Sequence, residues 1–121
     1  INQTEKPNNR KYDLEERTRR FAKRCRDYVN KLPRTITNVQ YGEQLARSSS
    51  SPGANYIEAN ESLSRKDFVM RIKICRKEAK ESCYWLSLTE PKKEDETETV
   101  LLMDEGGQLV KIFNAIVEKS L

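Results

Sequence analysis

The sequence predicts an all-α fold, an antiparallel up-and-down four-helix bundle, and three observations carry that reading. Only four Gly and four Pro occur in 121 residues, too few for the frequent turns of an all-β chain. Charged residues (35%) balance hydrophobic ones (36%) and mean hydropathy is −0.89, so the apolar material must lie on narrow stripes. The long segments between breakers carry those stripes at helical spacing, and the connections between them are short. The length suits one domain.

Residues 1–11, "INQTEKPNNRK", show no apolar period and read as a flexible arm, leaving residues 12–121 for the bundle. Asp13 is a candidate N-cap for a helix bearing Leu14, Thr18, Phe21, Cys25, Tyr28 and Leu32 and ending at Pro33. A second helix starts near Thr35. Its expected packed stripe is Ile36, Val39, Ala46, Ser50, Gly53 and Ile57, with Leu45, Tyr56 and Leu63 on the shoulder. Within it, "SSSSPGANYIEANES" admits two readings: a helix kinked at Pro52, or a break with a new helix starting there. The unbroken register favours the first.

Ser64 is a good N-cap for a third helix, with Asp67 placed for a capping box. Phe68, Ile72, Cys75, Ala79, Ser82 and Leu86 form one stripe, and Met70, Ile74, Trp85 and Leu88 a second. One neighbour needs only one stripe, so the second is assigned to an oligomer interface. Beyond Pro91 a polar connection leads to a fourth helix over residues 95–120, bearing Leu102, Leu109, Phe113 and Ile116 with Met103, Val110 and Val117 beside them. Gly106-Gly107 is expected to fray or bend it.

Several function classes are disfavoured. The absence of His removes the commonest general base and metal ligand. Cys25, Cys75 and Cys83 lack metal-site spacing and sit on apolar periods, so they read as buried thiols. No run is long enough for a membrane span, and the N-terminal residues lack a signal-peptide core. A soluble, cytoplasmic protein without cofactor or metal, and not an enzyme, is expected.

Charge is uneven. Between Arg10 and Arg34 ten basic residues oppose four acidic ones; between Ser64 and Glu81, seven oppose three; between Glu90 and Glu105, seven acidic residues oppose two basic. Arg17, Arg20 and Arg24, with Lys23 adjacent, form a ridge off the apolar stripe that suits phosphates by charge neutralisation, helped by Lys73 and Lys77 on the third helix. The competing reading is a solvated face, paired locally or with the acidic stretch of a neighbouring subunit. Asn55, Glu58, Arg76 and Glu81 are expected to form a structural polar network across the second and third helices rather than a catalytic pair.

The stretches "YDLEERTRRFAKRCRDYVNKLPRT", "LARSSSSPGANYIEANESLSRKDF" and "RIKICRKEAKESCYWL" resemble the bacterial four-helix-bundle proteins encoded in intervening sequences of 23S ribosomal RNA genes. Ser51, Ala54, Asn55 and Glu58, followed by Ser64, Arg65, Lys66, Asp67 and Phe68, carry the most specific part, and Arg76 and Glu81 fall where that family has an Arg and a Glu. The resemblance implies non-enzymatic bundles assembling into five-fold rings, with structured RNA as the presumed ligand. It also points to a related bundle that accompanies reverse transcriptases in diversity-generating retroelements. The expectation is therefore a homo-oligomeric, pentameric bundle that binds nucleic acid, RNA in preference, through the basic face. The alternative is a protein-interaction scaffold or reverse-transcriptase accessory protein with no nucleic-acid affinity of its own.

Overall fold

The computed structural model describes residues 9–121, with side chains from Asp13 onward, and residues 1–8 of the expected arm lie outside it. Four helices follow one another: α1 (Asn9–Lys31), α2 (Ile36–Asn60), α3 (Arg65–Leu88) and α4 (Glu96–Ser120), with a single 3₁₀ turn at Lys93–Asp95 before the last. Each rod is about 35 Å long at 1.5 Å per residue. There is no strand among the described residues. α1 begins before Asp13, so that residue lies inside the helix instead of capping it; once a helix is nucleated, extending it by another turn is cheap.

The cap expected at Ser64 is present, and Thr35, at the expected start of α2, caps that helix as well. Thr35 accepts the Asn38 N–H at 3.1 Å, and Ser64 accepts the Asp67 N–H at 3.1 Å. α2 runs unbroken through Pro52. The ring removes one backbone donor, and the Ser51 carbonyl nearby accepts from the Asn55 amide at 3.0 Å. α4 also runs unbroken through Gly106-Gly107, contrary to the expected fraying. The reason is tertiary: a Cβ on Gly106 would stand 2.6 Å from Cys83 Sγ, so glycine lets α3 and α4 approach closely. Packing outweighs the modest loss of helix propensity.

The helices alternate in direction, as cross-helix pairs running in opposite order show. Thr18 lies against Gly53 and Val29 against Gly42; Ser48 meets Ser82 at 2.9 Å and Asn55 meets Arg71 at 2.8 Å; Arg17 meets Glu105 and Arg24 meets Glu98. Contacts are most extensive for α2 with α3 and α3 with α4, fewer for α1 with α2, and sparse for α1 with α4. α1 and α3 are therefore diagonal.

The core gathers Leu14, Phe21, Cys25, Tyr28 and Leu32 from α1, Leu45, Tyr56 and Ala59 from α2, Ile72, Cys75, Ala79 and Leu86 from α3, and Leu102, Leu109, Phe113 and Val117 from α4. The expected stripes of α1, α3 and α4 are thus in place. The stripe of α2 is not. Ile36 is 81% exposed, Val39, Ala46, Ser50 and Ile57 also face outward, and Leu63 in the α2–α3 turn is fully exposed. The buried face is Asn38, Gly42, Leu45, Ser48, Ser49, Pro52, Tyr56 and Ala59. α2 carries small and apolar residues on two different sides, and the bundle buries the side bearing Leu45 and Tyr56, whose bulk fills the centre.

Two buried polar groups close the end of the bundle holding the α1–α2 and α3–α4 connections. The Asn38 amide donates to the carbonyls of Pro33 (2.9 Å) and Glu90 (3.0 Å) and accepts the Glu90 N–H (2.9 Å). The Tyr28 hydroxyl lies 2.7 Å from Thr89 Oγ1 and 2.8 Å from Thr99 Oγ1. Buried polar atoms satisfied in this way hold both connections in register.

Candidate nucleic-acid interface

The basic residues of α1 divide between two faces. Arg17, Arg24 and Lys31 recur every seven residues, one flank of the helix, and face α4. Arg17 donates to both carboxylate oxygens of Glu105 (2.7 and 3.0 Å) and to Gln108 (2.9 Å). Arg24 donates to both oxygens of Glu98 at 3.2 Å, and Lys31 lies 3.9 Å from Asp95. Hydrogen bonding to these carboxylates raises both guanidinium pKa values against the opposing cost of partial burial. Three residues of the acidic stretch foreseen as a partner of another subunit, Asp95, Glu98 and Glu105, thus meet α1 of the same chain.

Arg20 and Lys23 lie on the outward face of α1, exposed and with no carboxylate within salt-bridge distance among the described residues. Arg19 and Arg26 share that face and pair only within their own helix, Arg19 with Glu16 at 3.7 Å and Arg26 with Asp27 at 3.0 Å. Such exposed pairs are weak and screened. The predicted ridge Arg17, Arg20, Lys23, Arg24 is therefore rearranged into a structural pair and a free pair, with Arg19 and Arg26 added. Glu98 and Glu105 share the seven-residue step of Arg17 and Arg24, as do Arg19 and Arg26, but only the antiparallel placement of α4 beside α1 turns that shared step into pairs. Lys73 and Lys77 are exposed on the diagonal helix α3 and do not extend the α1 face within one chain.

The four expected network residues do not meet one another. Asn55 accepts from Arg71 (2.8 Å) and donates to Ser51 (2.9 Å). Arg76 donates to Asn114 (2.7 Å), and Glu81 accepts from Arg47, which also reaches Glu78 (3.0 Å). Glu58 is exposed. Each residue projects to a different neighbour because Arg76 turns toward α4 and Glu81 toward α2. Within the other expected set, Met70 is 55% exposed while Ile74, Trp85 and Leu88 are half-buried. Trp85 stacks on Tyr41 at 6.0 Å and meets the edge of Tyr84 at 5.2 Å.

Little else points to chemistry. Cys25 and Cys75 are fully buried and Cys83 partly so; burial pushes the first two thiols up to about 12 and raises the third. Among the described residues no cluster of Cys, Asp and Glu could hold a metal, and no helix is long and apolar enough to cross a membrane. A mainly apolar crevice of about 590 Å³ opens between α1 and α4 at Leu14, Tyr56, Phe68, Ile112 and Ile116, with Asp13, Arg17, Lys119 and Ser120 also in its lining.

A four-helix bundle with exposed cations along the outward face of α1, whose other flank pairs with Asp95, Glu98 and Glu105, is the class of protein the fold defines. The chain belongs to the 23S rRNA-intervening sequence protein family, whose model matches residues 10–113. It is also similar to a crystal structure of a protein of unknown function of the S23 ribosomal protein family from Bacteroides thetaiotaomicron, with 26% sequence identity, 89% of this chain and 97% of that chain covered, and a TM-score of 0.74. No curated protein matches the sequence.

Proposed function

We propose that the chain is a non-catalytic, self-associating bundle that binds structured RNA through the outward face of α1. The observation supporting this is the set of exposed cations there, Arg19, Arg20, Lys23 and Arg26, among which Arg20 and Lys23 have no acidic partner among the described residues. Cations spaced along one rod can neutralise successive phosphates, and the released counterions favour binding without any base-reading device. Arg17 and Arg24 act by holding α1 against α4, which orients that face. Assembly into a pentameric ring, implied by the family resemblance, would repeat the face around one axis and add avidity.

The test is fluorescence anisotropy of a structured RNA titrated at several salt concentrations. Steep loss of affinity with salt is expected, and the double variant Arg20→Glu/Lys23→Glu is expected to reduce the logarithmic salt slope by about 1 to 2. A control variant, Lys92→Glu/Lys111→Glu, changes net charge equally at other exposed sites. Equal loss in both variants would reduce the effect to bulk charge. Absence of binding at low salt would favour a protein-interaction scaffold, for example an accessory of a reverse transcriptase.

A further inference from the structure

Self-association belongs to the reading above, and the inference here rests on it and specifies which surfaces meet. On the outward side of α2, Ile36, Val39, Glu43, Ala46, Ser50, Gly53 and Ile57 recur at alternating steps of three and four. That is the spacing of a coiled-coil seam, running beside α1 and touched by it at Gly53, which lies against Thr18. Ile36, Val39, Ala46, Ser50 and Ile57 are exposed. The seam is indented where α1 and α2 diverge, by crevices of about 290 Å³ beside Val39 and Ala46 and about 190 Å³ beside Ser50, Gly53 and Ile57.

The outward side of α3 shows the same spacing with opposite bulk. Met70, Ile74, Lys77, Glu81, Tyr84 and Leu88 follow steps of four and three, and Met70 and Tyr84 are more than half exposed. One seam is a row of holes with small residues at its centre; the other is a row of knobs. Their charges are complementary too. Glu43 and Glu58 on α2 and Glu61 just past its end have no cation partner among the described residues, and Lys66, Lys73 and Lys80 on α3 have no acidic one.

We infer that the α3 seam of one copy docks into the α2 seam of the next. Pairing α2 with α2 would set hole against hole and carboxylate against carboxylate, and pairing α3 with α3 would set lysine against lysine; only the unlike pairing satisfies both shape and charge. The contact is heterologous, and α2 and α3 occupy adjacent corners of the bundle. Each further copy is therefore rotated relative to the last, a repeat that forms a ring when the rotations sum to a full turn and an open filament when they do not. Lys73 and Lys77 then serve the assembly, apart from the α1 face.

The test uses sedimentation velocity of the full chain and two variants whose substitutions all lie at exposed sites, with helicity and melting checked by circular dichroism. Ala46→Arg/Ser50→Arg fills the α2 seam; Met70→Asp/Tyr84→Asp breaks the α3 seam. Each variant alone is expected to be monomeric, whereas an equimolar mixture forms dimers and nothing larger, since each partner contributes one intact seam. A charge-only variant, Glu43→Lys/Glu58→Lys, is expected to weaken association at least about tenfold at low salt. If the unaltered chain assembles and either seam variant still does so, or if the monomeric variants fail to dimerise on mixing, the pairing is overturned while self-association stands. A monomeric unaltered chain would overturn both, whatever its RNA affinity.

Discussion

Gly106 and Gly107 are neighbours in one helix, and replacing each by alanine is expected to move stability in opposite directions. In a helix interior the change removes backbone entropy from the unfolded chain and gains about 0.5–1 kcal/mol. At Gly107 a Cβ meets nothing within 4 Å, so that gain should appear whole, a rise in melting temperature of about 2–4 °C. At Gly106 the new Cβ would stand 2.6 Å from Cys83 Sγ and 3.5 Å from the Phe21 ring. Relieving such overpacking costs about 1–3 kcal/mol, so the net effect of Gly106→Ala is a loss of about 1 kcal/mol, the difference between that cost and the propensity gain. Cys83→Ala removes the obstructing sulfur. In that background Gly106→Ala should become stabilising, giving a coupling of about 1–2 kcal/mol between the sites. Urea denaturation of the four variants measures this directly. Equal stabilisation by both alanines, or a Gly106 penalty that persists without the Cys83 sulfur, would refute the account of α3–α4 contact.

Three further outcomes follow from other parts of the structure. Asn38→Ala leaves the Glu90 N–H and two carbonyls without their partner, and the loss expected is about 2–4 kcal/mol in denaturant unfolding; Asn38→Asp should not restore it, because a carboxylate cannot donate to those carbonyls. A double-mutant cycle with Arg17→Gln and Glu105→Gln should give a coupling of about 0.5–1 kcal/mol, discounted for partial exposure, that shrinks as salt is raised. Cys25 and Cys75, pushed up to about 12 from an ordinary value near 9, keep their protons in the folded protein where the unfolded chain has lost them. Stability is therefore complete below pH 9 and falls as pH climbs toward 12, while at pH 8 a thiol reagent should titrate at most Cys83 rapidly in the native state and all three thiols after denaturation.

Much of this architecture is legible in the sequence because helical periodicity is a local property. The stripes of α1, α3 and α4, the helix start near Thr35, the cap at Ser64, and the polar connection after Pro91 all depend on residues within a few turns of one another. α2 shows where such reading stops. Ile36, Val39 and Ile57 lie on one side and Leu45, Tyr56 and Ala59 on another, and both sides satisfy a helical period. The site was legible in composition but not in placement: the basic face was evident, while the allotment of Arg17 and Arg24 to Glu105 and Glu98 depends on α4 lying antiparallel beside α1.

Sequence alone determined the number of helices, their approximate limits, the absence of histidine chemistry and the concentration of positive charge on α1. Tertiary structure alone decided which face of α2 is buried, that Gly106 serves a helix contact, that Asn38 joins two connections, and which arginines remain open to solvent. The physical reason is the range of the interactions. Periodicity, capping and charge are written over spans of three to seven residues, whereas cross-helix hydrogen bonds and ion pairs join residues far apart in the chain, as Cys83 with Met103, 20 positions apart, and Arg17 with Glu105, 88 positions apart, show, and no single segment records its partner.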